Sequence, residues 1–136
     1  MSKSSIDLGK IGEYICVLRL LQSDIPASIV NLETVDVIVH EDGKMWRVQV
    51  KSSTLKKNGV RSHGYQFSLG VGGGRKRTLT EDDCDIIALV AIDHQQVIFY
   101  PVRALEGMKT RRISPKKFDD PGLCLKSWVK ATLRSS

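Results

Sequence analysis

The stretch TVDVIVHEDGKMWRVQVK, residues 34–51, decides the fold. Its two halves alternate apolar and polar residues, the period-two signature of a strand half buried against a core. Glu41, Asp42, Gly43 and Lys44 join them, and Asp-Gly at the centre suits a two-residue hairpin turn, where both positions need positive φ. That loop sets the register: Glu41 faces Lys44, Val39 faces Trp46, Val37 faces Val48 and Asp36 faces Gln49. One face of the hairpin then carries Val35, Val37, Val39, Trp46, Val48 and Val50, an apolar surface expected to pack on a helix. The other face gathers Asp36, Arg47, Gln49 and Lys51.

The helix comes from residues 6–22, with Ser4 or Ser5 as N-cap and Asp7 in the first turn, where the helix dipole favours an anion. Its body, IGEYICVLRLLQ, is apolar nearly all round, so burial on more than one side is expected. Residues 24–26, Asp-Ile-Pro, end it. Downstream of the hairpin, residues 54–64 read as a basic, polar loop and YQFSLG as a third strand. GVGGGRKR, residues 70–77, is a cationic glycine-rich loop whose spacing fits neither a P-loop nor a dinucleotide fingerprint. TEDDCD reads as a capped helical turn whose acids serve the helix start, followed by the buried strand IIALVAI. VIFYPV is another strand, RALEGM begins a helix, residues 109–122 form a basic loop, and residues 125–134 make a short terminal helix.

With 136 residues, 41% of them hydrophobic, the chain suits one domain, residues 1–136, able to bury a core. Lys and Arg outnumber Asp and Glu by 21 to 15, for a net charge of +6, which favours polyanionic partners and nucleic acid first among them. Three dispersed basic clusters match a duplex-binding surface: Lys56, Lys57 and Arg61 with His63; Arg75, Lys76 and Arg77; and Lys109, Arg111 and Arg112. Cys16, Cys84 and Cys124 are far apart with no paired histidine, and are expected to be reduced core residues of a cytosolic protein. His40, His63 and His94 stand singly and are expected in solvent, while Tyr65 and Phe67 are expected in the core. The longest apolar run, residues 86–92, is too short to span a bilayer, and the N-terminus has no signal-peptide character, so neither membrane insertion nor secretion is expected.

The polar face of the hairpin carries the chemistry. Opposed residues on antiparallel strands hold their Cβ atoms roughly 4.5–5.5 Å apart, so Asp36 and Gln49 can present oxygens to one small ion. With the Val50 carbonyl they form a hard-oxygen set suited to Mg²⁺, and Lys51 shares their face. Glu13 supplies a second acid from the first helix, on the apolar stripe of Gly9, Cys16, Val17 and Leu20, where an unpaired carboxylate is costly unless a cation is near. Gly9 and Gly12 beside it leave room for a close approach.

An acid within GKIGE of the first helix, an Asp on a strand and QVK on its paired strand resemble the PD-(D/E)XK nuclease superfamily. The likeness is firm over residues 9–53 and looser through YQFSL, DCDIIALVAI and VIFYPV. Within that superfamily the chain most resembles the homing endonucleases of cyanobacterial group I introns, where Gln replaces the acid, and the Holliday-junction-resolvase-like nucleases. The resemblance implies an α/β fold, with a mixed sheet flanked by helices. It also implies Mg²⁺- (or Mn²⁺-) dependent cleavage of double-stranded DNA in the cytoplasm of a bacterial or phage-infected cell, and a homo-oligomer, dimer or tetramer. On this likeness Asp36 anchors the metal, and Gln49, Glu13 and the Val50 carbonyl complete its shell. Lys51 then stabilises the pentavalent transition state or positions the attacking water. Val35 stands where the motif has Pro, and Gln49 where it has Asp or Glu, which shifts metal-binding load onto Glu13. Site-specific cleavage of the homing type is the leading expectation. A junction resolvase, an inactive DNA-binding module and an RNA-processing nuclease on the same scaffold are the alternatives.

Overall fold

The computed structural model describes residues 5–57, 59–71 and 77–135. Helix α1 (Ser5–Gln22) is followed by strands β1 (Ala27–Leu32), β2 (Val35–Glu41) and β3 (Lys44–Ser53). Short strands β4 (Lys56–Lys57), β5 (Val60–Arg61), β6 (Tyr65–Ser68), β7 (Gly70–Val71) and β8 (Arg77–Thr78) come next. Strands β9 (Ile86–Ala91), β10 (Gln96–Pro101) and β11 (Thr110–Ile113) precede the terminal helix α2 (Leu123–Ser135).

A five-stranded sheet in the order β1-β2-β3-β9-β10 is the frame, antiparallel except for the parallel pair β3 and β9. The hairpin forms with the register its turn dictates: Val37 pairs with Val48, Val39 with Trp46 and Glu41 with Lys44. Asp42 (φ 52°) and Gly43 (φ 75°) both take the left-handed conformation that such a two-residue turn needs. Strand β9 lies between two neighbours and is buried throughout, because both its faces are covered. Ile86, Ala88 and Val90 join the core under the helices with Val37, Val39, Trp46 and Val48. Ile87 and Leu89 join a second core with Tyr65, Phe67, Leu69 and Phe118 on the opposite face. Trp128 of α2 locks the first core, meeting Trp46 and Phe99 edge-on at 6.1 Å and 5.1 Å and donating its indole N–H to Glu41 at 2.8 Å.

The mixed sheet with flanking helices is as expected, but several local readings change. Strand β1 carries no clear alternation in the sequence, and its residues are at most half buried. YQFS is a strand, yet it pairs with β11 in a separate two-stranded sheet. β11 itself falls within the segment read as a basic loop. The polar segment after β3 folds into the small β4–β5 hairpin, anchored by buried Leu55. TEDDCD is a turn without a helix, and the segment after β10 makes only a single 3₁₀ turn, Val102–Leu105. Ser5 is already helical, and the alternative cap Ser4 lies outside the described residues.

Helix α1 is buried on one side only. Gly12, Cys16 and Leu20 face the sheet, while Tyr14, Leu18 and Leu21 are more than half exposed. The sheet supplies cover for one stripe of the helix and no other described layer covers the rest, so apolar content overstated its burial. Cys16, Cys84 and Cys124 are all free and buried, as expected. His40 and His63 are exposed, but His94 is not solvated. Its ring shares a hydrogen bond of 2.6 Å with the buried Tyr65 hydroxyl through Nδ1 and contacts Asp119 at 3.3 Å through Nε2. No helix among the described residues is long and apolar enough to cross a membrane.

Gly12 fixes how closely α1 approaches β3. A Cβ there would overlap the Ser52 hydroxyl and stand 2.9 Å from Ser52 Cβ. Gly12→Ala is therefore expected to destabilise the fold by about 1–3 kcal/mol in denaturant titration, and Ser52→Gly in the same chain to recover most of that loss. No recovery would mean that the contact is not what limits the approach.

Candidate active site

The hairpin ladder stops short of Asp36, and this positions its carboxylate. The last backbone pair towards Asp36 is Val37 with Val48, while from Val48 onward β3 pairs with β9. Asp36 Oδ2 takes the place of a ladder acceptor, receiving the Val50 N–H at 2.8 Å. Gln49 Nε2 donates to the same oxygen at 2.7 Å, so the expected Asp36–Gln49 contact is made by side chains beyond the end of the ladder. A carboxylate only accepts, which fixes the amide with nitrogen towards Asp36 and oxygen away from it. Gln49 Oε1 is then buried with no hydrogen-bond partner among the described residues.

Glu13 repeats that condition from the helix side. Its Oε1 is buried without a hydrogen bond among the described residues, while Lys10 Nζ lies 3.5 Å away as an ion pair. Burial raises the Glu13 pKa first, repulsion from Asp36 adds to it, and attraction to Lys10 opposes both. Burial likewise raises the Asp36 pKa, against the pull of the Val50 N–H and the charges of Lys51 and Lys10. Two carboxylates close enough to repel, beside the orphaned Gln49 oxygen, form a site that favours a further cation.

Lys51 borders this site, with its ammonium donating to the Gly70 carbonyl at 3.0 Å. Gln49, Lys51, Gly70, Val71 and Arg77 line a cavity of about 420 Å³, together with Glu33 and Thr34. Sequence reading had no reason to include Glu33, which enters through the turn between β1 and β2. Lys10 does have a signal in the sequence, since a lysine three residues before Glu13 on a helix is placed to pair with it.

Arg47 leaves the expected polar cluster for a structural task. Its guanidinium grips Asp85 and the carbonyls of Glu81 and Asp82, and its own backbone N–H binds Asp85 at 2.9 Å. Asp83 binds Arg77 through both oxygens, at 2.7 and 2.8 Å, and caps the Thr80 N–H. The Arg77 hydrogen bonds lower the Asp83 pKa to about 2. Glu81 pairs with Arg103 at 2.6 Å, so the acids of the TEDDCD turn brace three arginines, where a helix-start role is expected from the sequence.

The basic candidates are placed as follows. Lys56 and Lys57 lie on β4, Arg61 on β5 and His63 in the loop after it, with Lys56, Arg61 and His63 exposed. Lys109 is exposed; Arg112 is exposed and reaches Gln66 at 3.1 Å. Arg111 is partly buried and stacks over the Tyr100 ring at 5.5 Å. Arg75 and Lys76 lie outside the described residues.

Among the described residues no three His, Cys, Asp or Glu side chains gather as a metal-ligand group. A cation here would rest on two carboxylates, the Gln49 amide oxygen and a backbone carbonyl. This donor set is all oxygen, which suits Mg²⁺ or Mn²⁺ and excludes a thiolate or imidazole site.

The fold is similar to a solved structure described as a bacterial homing endonuclease, I-Ssp6803I, with a TM-score of 0.73 over 97% of this chain and 95% of that one. Sequence identity is 15%, so the likeness is one of fold. No family model and no curated protein matches the chain.

Proposed function

We propose that the chain is a single-domain, metal-dependent endonuclease that hydrolyses phosphodiester bonds of double-stranded DNA at specific sites, with a PD-(D/E)XK centre formed by Glu13, Asp36, Gln49 and Lys51. The observation that carries this reading is the buried Gln49 Oε1, without a hydrogen-bond partner among the described residues, beside the Glu13 and Asp36 carboxyls, whose pKa values are both raised by burial. The fold shared with a homing endonuclease supports it.

Asp36, Glu13, Gln49 Oε1 and the Val50 carbonyl would hold Mg²⁺ or Mn²⁺. The chemistry such an ion supplies is neutralisation of phosphate charge and a lowered pKa for a bound water. Asp36 is held in position by the Val50 and Gln49 N–H groups, so its remaining oxygen is pre-set for the task. Lys51, steadied by the Gly70 carbonyl, offers its ammonium to the charge that builds on the phosphoryl oxygens. Lys56, Arg61, His63, Lys109 and Arg112 provide exposed cations for flanking phosphates, and Lys57, Arg75 and Lys76 extend these clusters in the sequence. Cutting both strands calls for two centres. Exposed Tyr14, Leu18 and Leu21 on α1 and Leu125, Val129 and Leu133 on α2 offer apolar surface of the kind a second subunit covers.

The test is incubation with a randomised-site plasmid library and a four-way junction in Mg²⁺, followed by sequencing of the ends. Discrete plasmid ends are expected. Cutting of the junction alone would replace the homing reading with a resolvase, and no Mg²⁺-dependent cutting of either would remove the nuclease reading.

Gln49→Glu probes the unusual ligand. A carboxylate in place of the amide is expected to tighten Mn²⁺ binding about tenfold in calorimetric titration. The same change is expected to lower the melting temperature in chelator, because it adds a third charge to Glu13 and Asp36 and deletes the Nε2 donor. Unchanged Mn²⁺ affinity would show that residue 49 does not face the ion.

A further inference from the structure

Lys10 lies three residues before Glu13 on α1 and has two acceptors. Its ammonium donates to Asn31 Oδ1 at 3.1 Å and sits 3.5 Å from Glu13 Oε1. Asn31 takes a φ of 54° in β1, within the irregularity between Ile29 and Leu32. The Lys10 side chain is 47% exposed and the Glu13 side chain only 13%, so a half-solvated cation is tethered against a buried anion. At 3.5 Å the contact to Oε1 is a long ion pair, an arrangement that a half-exposed lysine leaves at little cost.

We propose that Lys10 is the resident counter-ion of the Glu13–Asp36 pair, a positioning residue whose ammonium a divalent cation must displace from Glu13 in order to bind. The proposal rests on the cation-site reading above. An ammonium and a divalent ion on one carboxylate oxygen repel each other, so the space beside Glu13 Oε1 takes one of them at a time. Lys10 also acts on Asp36: burial raises the pKa of both acids, and Lys10 is among the charges pulling each back. Without Lys10, Glu13 would lose the charge that offsets its burial and its repulsion from Asp36, while Lys51 would still act on Asp36.

Mn²⁺ affinity of the full chain without DNA, measured by titration calorimetry, provides the test, with circular dichroism to verify that each variant is folded. Lys10→Met is expected to tighten Mn²⁺ binding about three- to tenfold, because it removes a competing charge that is partly screened by solvent. Lys10→Arg is expected to restore the parental value. Asn31→Ala removes the tether and keeps the charge, and is expected to stay within about twofold of the parent. A purely structural Lys10 would instead give unchanged or weaker binding in Lys10→Met, mirrored by Asn31→Ala, and that result would overturn the proposal. Absence of Mn²⁺ uptake by the parent itself would overturn the cation-site reading beneath it, an outcome separate from the first.

Discussion

Lys51→Ala is expected to lower the rate of DNA cleavage by about two to three orders of magnitude while leaving duplex affinity within about threefold of the parent. The ammonium stands on the wall of the cavity, where it donates to the Gly70 carbonyl and its charge acts on Asp36. Among the described and undescribed basic residues it is one of 21, so its share of the nonspecific attraction to phosphate is small. Its share of transition-state stabilisation is large if the phosphoryl group sits in that cavity. Gel-shift titration and single-turnover cleavage, run side by side, separate the two. Loss of binding and cleavage in parallel would make Lys51 an anchoring contact. Retention of full cleavage would remove Lys51 from the catalytic assignment, whereas duplex binding without cleavage by the parent would turn the protein towards an inactive fold relative that only binds DNA.

Asp36→Asn is expected to abolish cleavage, by about a thousandfold or more, and at the same time to stabilise the cation-free protein. Asn keeps an oxygen for the Val50 and Gln49 N–H groups but removes the charge that burial disfavours. Because the folded-state pKa of Asp36 is raised from 3.8, its carboxyl contributes stability fully at pH below that unfolded value and loses it as pH rises through the folded value. In chelator the variant should therefore melt above the parent at pH 8, and the two curves should converge below about pH 4. Thermal melts across that range check the sign. A variant that melts lower at pH 8 would mean that Asp36 is stabilised by its surroundings and is not strained there for a cation.

Much of this arrangement is legible in the residues, for identifiable physical reasons. The Asp-Gly turn admits one register, so the faces of β2 and β3 follow from counting in twos. Glu13 stands out because an acid on an apolar helix stripe must have a cation nearby. Strand β1 gives no signal in the sequence because its exposed and partly buried residues do not alternate. Strand β11 was missed because TRRI looks solvated, whereas Arg111 covers an aromatic ring and Ile113 is buried. Arg47 lies on the polar strand face, but its guanidinium is consumed by the turn at residues 81–85, a partner 34–38 residues away that no local pattern reveals. The same is true of His94, whose partners Tyr65 and Asp119 come from two other segments.

Diffraction at a wavelength sensitive to manganese, from crystals of the protein grown with Mn²⁺, measures the central relation most directly. One anomalous peak is expected, bonded to Asp36 and to Gln49 Oε1 with Glu13 alongside. A peak elsewhere, or none at a Mn²⁺ concentration that supports DNA cleavage, would contradict the assignment of Glu13, Asp36, Gln49 and Lys51 to a hydrolytic centre.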